Sequence, residues 1–413
     1  MSKGSDGRKK VLIIGAGAQG NVISNVLARA DDVKEIILGD IDVNRAREIA
    51  SFDSRGKIVV ERVDASDIDS MSALMKKYDV DLVINATLPR FVHSVMKASF
   101  AAGKDYIDMA SNEIYPTPDA PTEQFLYAKE WKERGLICLT GAGGDPGLSN
   151  IMAKEGIEDL DTVESIQIKD FGVAECDRPV ALWSMTTYLE DMYLEATIWE
   201  NGKPKKVGMF SGEEVYDVPK PIGMRGKFYF HDHEESVTIP LFCGKEVGYC
   251  DFKIGEPGID TWRFIVEGLD LMNPEPIDIN GCRVSPRDIL FKKLPRTATP
   301  KEQIELYESG RLKSQLMLIC DIVGKRGGRW VKKKLWTNSP DGARACKMIP
   351  GTNDVSWITS VPCSVFSLMM LRGEIKHRGV FPPEVLDREE REIFLREIEK
   401  WDIRVLKQEE YQI

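Results

Sequence analysis

The chain is poor in the residues that most often mark metal and redox sites. Its 413 residues include 4 histidines and 8 cysteines, and no two cysteines form a Cys-x-x-Cys pair. That excludes the common zinc-ribbon and thioredoxin-type motifs. The opening stretch, Met1 to Gly7, is polar and lacks the apolar core of a signal peptide. The cysteines are therefore expected to be reduced thiols, several of them in cores, and the expected compartment is cytoplasmic. Positive charge is also short, since 56 Lys and Arg against 66 Asp and Glu leave a net charge of -10. A general nucleic-acid binder is not expected on that balance. The one basic run, Lys325 to Lys334, has Gly327-Gly328 at its middle. It reads as a hairpin with a solvated cationic face, a phosphate-binding patch being the alternative. No apolar stretch reads as the roughly 20-residue run that a membrane span needs. With 42% hydrophobic and 30% charged residues the composition is ordinary, and the length allows two or three domains with sizeable cores.

What the sequence does have stands near its start. Val11 to Ile14 are four consecutive β-favouring apolar residues, the pattern of a strand buried on both faces. Gly15, Gly17 and Gly20 follow at once, with Ala18 and Gln19 between them, and then a helix-compatible run, Asn21 to Ala30. The first glycine permits a tight turn, the second lets a diphosphate approach the backbone, and the third allows close helix–strand packing. The diphosphate then sits on the amide groups and positive end of the helix. This predicts a Rossmann-type dinucleotide site. Asp40 lies 20 residues beyond Gly20, just past the second strand, Glu35 to Leu38. A carboxylate there accepts from ribose hydroxyls and repels a 2'-phosphate, so NAD is expected. Arg45 and Arg47 keep NADP as the minority alternative. The other reading of Asp40 or Asp42 is a cap on the helix Val43 to Ala50.

Ile58 to Val63 is a third strand. Asp64-Ala65 follows, at the adenine edge or at a helix cap, and then a helix around Ser70 to Lys77. Asp81 to Ala86 is a fourth strand, and Ala86, Thr87 and Leu88 open a loop expected to face the nicotinamide. Lys104 to Met109 is a fifth, with Ser111 beyond it also assigned to the cofactor, and Leu136 to Leu139 a sixth. Strands alternating with helices spell an α/β fold with a doubly wound parallel sheet. Gly141 to Gly147 is a second glycine cluster, at the carboxyl end of the sixth strand and before a helix-compatible run, Leu148 to Ile157.

From Thr162 the pattern turns to period-two alternation over Val163–Lys169, Lys205–Phe210, Lys227–His231, Glu246–Phe252, Thr261–Leu269, Gln315–Gly324 and Gly328–Lys334. Pro286 to Arg311 reads mostly helical. This predicts an antiparallel sheet with helices, an α+β substrate and dimerisation domain over 151–344, inserted into a Rossmann domain of 1–150 and 345–413. In the tail, Val355 to Ile375 reads as an apolar helix broken by Pro362 and packed against the first domain. Glu389 to Trp401 reads as a charged amphipathic helix and Ile403 to Leu406 as a short strand.

These residues resemble the saccharopine dehydrogenase family, which includes saccharopine reductases, lysine 6-dehydrogenases and carboxynorspermidine dehydrogenases. The resemblance rests on the Gly15–Gly20 turn, Tyr106-Ile-Asp108, Gly144-Asp-Pro-Gly-Leu-Ser-Asn150, Trp183-Ser184 and Gly379-Val-Phe-Pro-Pro-Glu384. Asn201-Gly-Lys203 and His233 to Pro240 look like the subgroup nearest the lysine 6-dehydrogenases. The family implies an NAD(P)-dependent oxidoreductase acting on a C–N bond of an amino acid, diamine or opine-like secondary amine. It also implies a second domain that completes the site and dimerises, so a homodimer is expected. Gly172 to Arg178 lacks the double-glycine Leu-Pro segment of the saccharopine reductases, which argues against saccharopine itself.

Hydride transfer at an amine carbon needs a nicotinamide held against that carbon, a group that moves protons, and surroundings that favour an iminium cation. Asp145, Asp108 and Glu113 fall on loops at the carboxyl ends of strands, where carboxylates can converge, with Gly144 beside them; capping of loops is the alternative for Asp108 and Glu113. His93 reads as structural and His377 as solvated. His231-Asp-His233-Glu-Glu invites a metal reading, but two histidines are too few for a closed zinc site, and no metal is expected. His233 with Glu235 is the better candidate for contacting substrate or transferring a proton, a solvated strand end being the alternative. Trp183 and Ser184 offer an apolar wall and a hydroxyl, or simply core. Two other functions stay open: a dehydrogenase of a hydroxy acid or semialdehyde, and a non-catalytic NAD-binding redox sensor.

Overall fold

In the computed structural model, which describes residues 7–115, 117 and 120–412, the run Val11 to Ile14 is wholly buried at the centre of a parallel sheet. Met1 to Asp6 of the polar opening stretch lie outside the described residues. Strands are numbered along the chain. The first sheet comprises β1 (Lys9–Ile14), β2 (Val33–Asp40), β3 (Ile58–Arg62), β4 (Leu82–Asn85), β5 (Asp105–Ile107), β6 (Ile137–Leu139) and, from the tail, β17 (Gly379–Phe381). Its order is β17-β6-β5-β4-β1-β2-β3, and every pairing is parallel. The order reverses between β1 and β4, the point at which open sheets of this kind bind their ligands. Helices α1 (Ala18–Ala28), α2 (Val43–Ala50), α3 (Ile68–Tyr78), α4 (Val92–Ala102) and α5 (Ala128–Glu133) connect the strands, and α6 (Leu148–Ile157) leads out of the sheet.

The second sheet is mixed, not antiparallel. It holds β7 (Thr162–Cys176), β8 (Ala196–Glu200), β9 (Lys203–Val207), β10 (Glu214–Asp217), β11 (Arg225–Phe230), β12 (Val247–Gly255), β15 (Leu312–Arg326), β16 (Arg329–Asn338) and β18 (Arg404–Tyr411). β12 runs parallel to β7 but antiparallel to β11, to which α8 (Glu235–Phe242) connects it. Gly327-Gly328, both at positive φ, close the β15–β16 hairpin in the basic run. Thr261 to Leu269 departs from expectation. Its alternation was read as a strand, yet it folds as α9 (Ile259–Arg263) and a short π-helical turn, in which Phe264 and Leu269 are exposed. The segment before β15 holds α10 (Pro286–Lys293) and α11 (Pro300–Glu308), and a two-stranded hairpin, β13 (Ile277–Ile279) with β14 (Cys282–Val284), precedes it.

After α12 (Gly342–Met348) the tail serves both sheets. α13 (Asp354–Arg372) runs unbroken through Pro362, buried along nearly its whole length against α1 and β15. By length and composition it could cross a membrane, a run the sequence reading passed over, but 83% of its most apolar window is buried within the protein. β17 then extends the first sheet. α14 (Arg388–Glu399) follows, and β18 pairs with β16 of the second sheet.

Arg391 fastens α14 to α6. It is 1% exposed and donates to Glu155 Oε1 at 2.6 Å, Glu158 Oε2 at 2.8 Å and the Leu386 carbonyl at 2.8 Å. Removing the cation would strand two partly exposed carboxylates against a buried gap. We predict that Arg391→Met lowers stability to urea by about 2–3 kcal/mol, below the roughly 3–5 kcal/mol of a fully buried pair because Glu155 and Glu158 stay in contact with water. An unchanged unfolding midpoint would show that the clamp adds nothing.

Candidate active site

Three glycines shape the first turn in different ways. Gly15 has φ +108°, and a Cβ there would stand 2.4 Å from the Ala86 carbonyl oxygen; a Cβ at Gly20 would stand 1.9 Å from the Gly15 oxygen. Both positions need a bare backbone. At Gly17 a Cβ would meet nothing nearer than Arg45 Nη2, at 3.9 Å. The turn is thus closed toward the protein and open above Gly17, where α1 starts without a side-chain cap. Uncapped amides at a helix N-terminus, with open space over them, fit the diphosphate of a dinucleotide.

Around that turn, Asp40 is half-buried, and its carboxylate accepts from the Ala16 amide at 2.6 Å and the Asp42 amide at 2.8 Å. Asp42, not Asp40, caps α2. Asp64 is exposed and bonds only to Ser66, while Asp67 caps α3 and the Ala65 carbonyl accepts from Ser94. Thr87 donates its amide and hydroxyl to Asn85 Oδ1, which sets the loop holding Ala86 and Leu88. Ala18 opens α1. Gln19 faces away from the turn, its side-chain oxygen accepting from Ser360 of α13.

The loops after β5 and β6 carry the remaining predicted carboxylates, and the structure separates them. Asp108 is 1% exposed; it accepts from the Gly141 amide at 2.8 Å and from Gln124 Nε2 at 3.0 Å. It ties the second glycine loop to the sheet. Ser111 donates both amide and hydroxyl to Glu234 Oε1 at 2.5 Å, joining the first sheet's loop to the second sheet's crossover. Glu113 is exposed and bonded to Tyr115. In the second loop, a Cβ on Gly144 would come within 3.0 Å of the Ile358 carbonyl, which is the acceptor that Pro362, lacking an N–H, leaves free in α13. Gly147, at φ +134°, has no room for a Cβ against Gly143.

Asp145 lies between these glycines and is brought near Asp170, in the middle of β7. Burial pushes Asp145 up to about 7, Glu235 adding to this and His233 opposing it. Asp170 is carried well above the usual carboxylate range by burial first and by Asp145 second. His233 donates Nδ1–H to Glu235 Oε2 at 2.8 Å and stacks on Phe252, with centroids 4.0 Å apart and planes 10° from parallel. Burial pulls His233 down, but Glu235, Glu234 and Asp145 outweigh it and carry it well above its usual value, so it is an imidazolium. Ser149 holds the other oxygen of Glu235 at 2.9 Å. His231 is neutral, since burial pushes it down to about 3. His233, Glu234 and Glu235 offer ligand atoms within 4.8 Å of one another, but protein partners already engage all three.

Besides Asp170, two further carboxyls not expected from the sequence extend the group. Burial pushes Asp191 of α7 (Met185–Met192) up to about 7 against the pull of His233. Glu256, also raised by burial, accepts from the Tyr188 hydroxyl at 2.9 Å. Trp183 is half-buried and packs edge-on against Tyr188, at 5.7 Å between centroids, and Ser184 caps α7 instead of facing the crevice. Asp170 carried a readable signal. It follows Ile166 and Ile168 on the inward face of β7, where an acidic residue needs a reason.

Residues 11–139 match the saccharopine dehydrogenase NADP binding domain, and residues 143–403 the saccharopine dehydrogenase C-terminal domain. The chain belongs to the saccharopine dehydrogenase family. It is similar to carboxyaminopropylagmatine dehydrogenase of Synechocystis sp., with 25% identity over 385 residues, 92% of this chain and 93% of that protein. It is also similar to carboxynorspermidine synthase of Vibrio alginolyticus, with 26% identity over 398 residues, covering 91% and 92%. Among solved structures, saccharopine dehydrogenase (L-Glu forming) from Saccharomyces cerevisiae superposes with a TM-score of 0.69 at 15% identity, covering 97% of this chain and all of that one. Homospermidine synthase from Legionella pneumophila in complex with NAD gives 0.65 at 13% identity, covering 97% and 91%. At those identities the likeness is one of fold. This saccharopine dehydrogenase family member is an NAD(P)-dependent oxidoreductase acting on the C–N bond of an amine or amino acid.

Asp40 ends β2 beside the first glycine turn, bonded to the Ala16 amide. We predict that Asp40→Ala weakens NADH binding, measured by fluorescence titration, several-fold more than NADPH binding. Equal losses would make Asp40 a support of the glycine turn alone.

Proposed function

We propose that the chain forms or breaks the secondary-amine C–N bond of a carboxylated polyamine or similar amino compound, using NAD in preference to NADP. The observation that carries this is the charge balance of the crevice. Asp145, Asp170, Asp191 and Glu234 are all raised by burial, and His233 is the one cation acting on each of them. Such a site is incomplete without a cationic guest. The two relatives similar over more than nine-tenths of the chain are named for carboxyaminopropylagmatine and carboxynorspermidine, which supports a guest with more than one amine.

The nicotinamide supplies or accepts the hydride. The chain's own residues do the rest. In the synthetic direction, an amine adds to a carbonyl and the resulting hydroxyl must leave as water; we assign its proton to the Asp145 and Asp170 carboxyls, both raised by burial. The iminium cation so formed is stabilised by the same carboxylates once that proton has gone. His233, pinned by Glu235 and Phe252, keeps the neighbouring acids from repelling one another before substrate arrives. In the oxidative direction the pair takes the proton back.

We infer further that the enzyme is a cytoplasmic homodimer whose partners are small molecules. Trp330 and Leu406, exposed on one face of the β16–β18 edge, support pairing through the second sheet. Net charge opposes nucleic acid, and α13, the one helix among the described residues long and apolar enough to cross a membrane, is mostly buried within the protein.

The test is turnover of purified protein with diamines, polyamines and agmatine, each paired with a carboxylated aldehyde, followed by nicotinamide absorbance. Turnover with a hydroxy acid and none with any amine would overturn the reading. Asp145→Asn is expected to cut turnover about 100-fold or more while NADH affinity stays within a few-fold. Asp145 is neutral below about pH 7 and anionic above it. The specificity constant for a cationic amine is therefore expected to rise through that region, and to lose the rise in Asp145→Asn. A flat profile in the parent enzyme would remove Asp145 from the chemistry.

A further inference from the structure

One side chain stands over the open side of the first glycine turn. The only atom within 4 Å of a Cβ built on Gly17 is Arg45 Nη2, at 3.9 Å. Arg45 is half-buried in the first turn of α2, where Asp42 caps the amides. A cation in that turn faces the positive end of its own helix, which costs stability unless a partner offsets it. The protein offers none. Among the described residues the Arg45 side chain makes no hydrogen bond and no ion pair. Acids stand three residues to either side, at Asp42 and Glu48. Arg45 pairs with neither, although Glu48 Oε1 is buried and unpartnered. Asp40 is engaged elsewhere, its oxygens accepting from the Ala16 and Asp42 amides. Arg47, the other arginine of α2, is exposed and donates to Asn44 Oδ1 at 3.4 Å.

What Arg45 faces is the space over the uncapped start of α1, inside the stretch that matches an NADP binding domain. The helix end there is worth roughly half an elementary charge, against about two on the diphosphate of a dinucleotide. A guanidinium adds a full charge and a fork of donors that fits phosphate oxygens. The diphosphate is common to NAD and NADP. The 2'-phosphate that separates them hangs from the adenosine ribose, the part of the cofactor expected at Asp40 and not over Gly17.

We propose that Arg45 is the counter-charge to the cofactor's diphosphate, so that it strengthens NAD and NADP binding alike. This replaces the expectation that Arg45 favours NADP. The assignment rests on the glycine turn as the cofactor site and not on the choice of amine. Binding without substrate tests Arg45, turnover tests the amine, and either can fail alone.

Calorimetric titration of the full chain with NADH and with NADPH makes the test, in the parent, Arg45→Met and Arg45→Lys. Methionine keeps much of the stem and removes the charge. It is expected to weaken both cofactors by a similar factor, about 10-fold at low salt. That deficit should shrink as KCl is raised from about 0.05 M to about 0.5 M, because screening weakens the pair in the parent. Lysine keeps the charge without the fork and should recover part of the affinity. A loss confined to one cofactor would overturn the proposal, and one confined to NADPH would make Arg45 a 2'-phosphate contact. A loss that salt leaves unchanged, as a disturbed α2 would give, also overturns it. So does a lysine no better than methionine, or no loss at all.

Discussion

The crevice depends on the seating of one buried helix. α13 touches both glycine turns: Ser360 bonds Gln19 at the first, and the Ile358 carbonyl lies against Gly144 at the second. The two loops that bracket the ligand space are thus held to a common strut. The contact at Gly144 requires two absences at once, a missing N–H at Pro362 and a missing Cβ at Gly144. A proline in mid-helix normally destabilises by removing a bond. Here the carbonyl it frees stands at the closest approach between the tail and the loop that carries Asp145.

The second organising feature is electrostatic. Carboxyls at Asp145, Asp170, Asp191 and Glu234 are withdrawn from water with one imidazolium among them. In the free protein such an arrangement lowers stability, because each group must remain partly protonated or endure its neighbours. Under the proposed function, binding of a cationic guest would offset that penalty, most of all at the iminium stage where the charge is concentrated, and stability given up in the resting protein would become discrimination for charge.

Much of this was legible in the residues, and what was not has a physical cause. The first glycine turn, the alternation of strands with helices and the α6 boundaries are local patterns, and they folded as read. Thr261 to Leu269 did not: Trp262, Phe264 and Val266 alternate like a strand, but the same spacing serves a short helix with one covered side, and tertiary context decided. Asp108 and Ser111 were placed on the correct loops, yet their partners, Gln124 and Glu234, are set by long-range packing that no local spacing reveals. Asp170 and Glu256 fall just past the alternations Val163–Lys169 and Glu246–Phe252, Asp170 within β7 and Glu256 in the turn after β12. Ser184 shows the opposite failure, a residue singled out for chemistry whose hydroxyl is engaged in capping α7.

The division of the tail between two sheets has a consequence for biogenesis. β17 forms one edge of the first sheet and β18 one edge of the second, and α13 fills the space against α1. During synthesis, neither sheet can acquire its final edge, nor α1 its cover, until residues 354–411 have left the ribosome. The nascent chain therefore carries two open sheet edges and an unfilled apolar seam for most of its translation, the condition in which chaperones act and aggregation competes. Folding of both halves is then tied to the same late event, so neither sheet can finish ahead of the other.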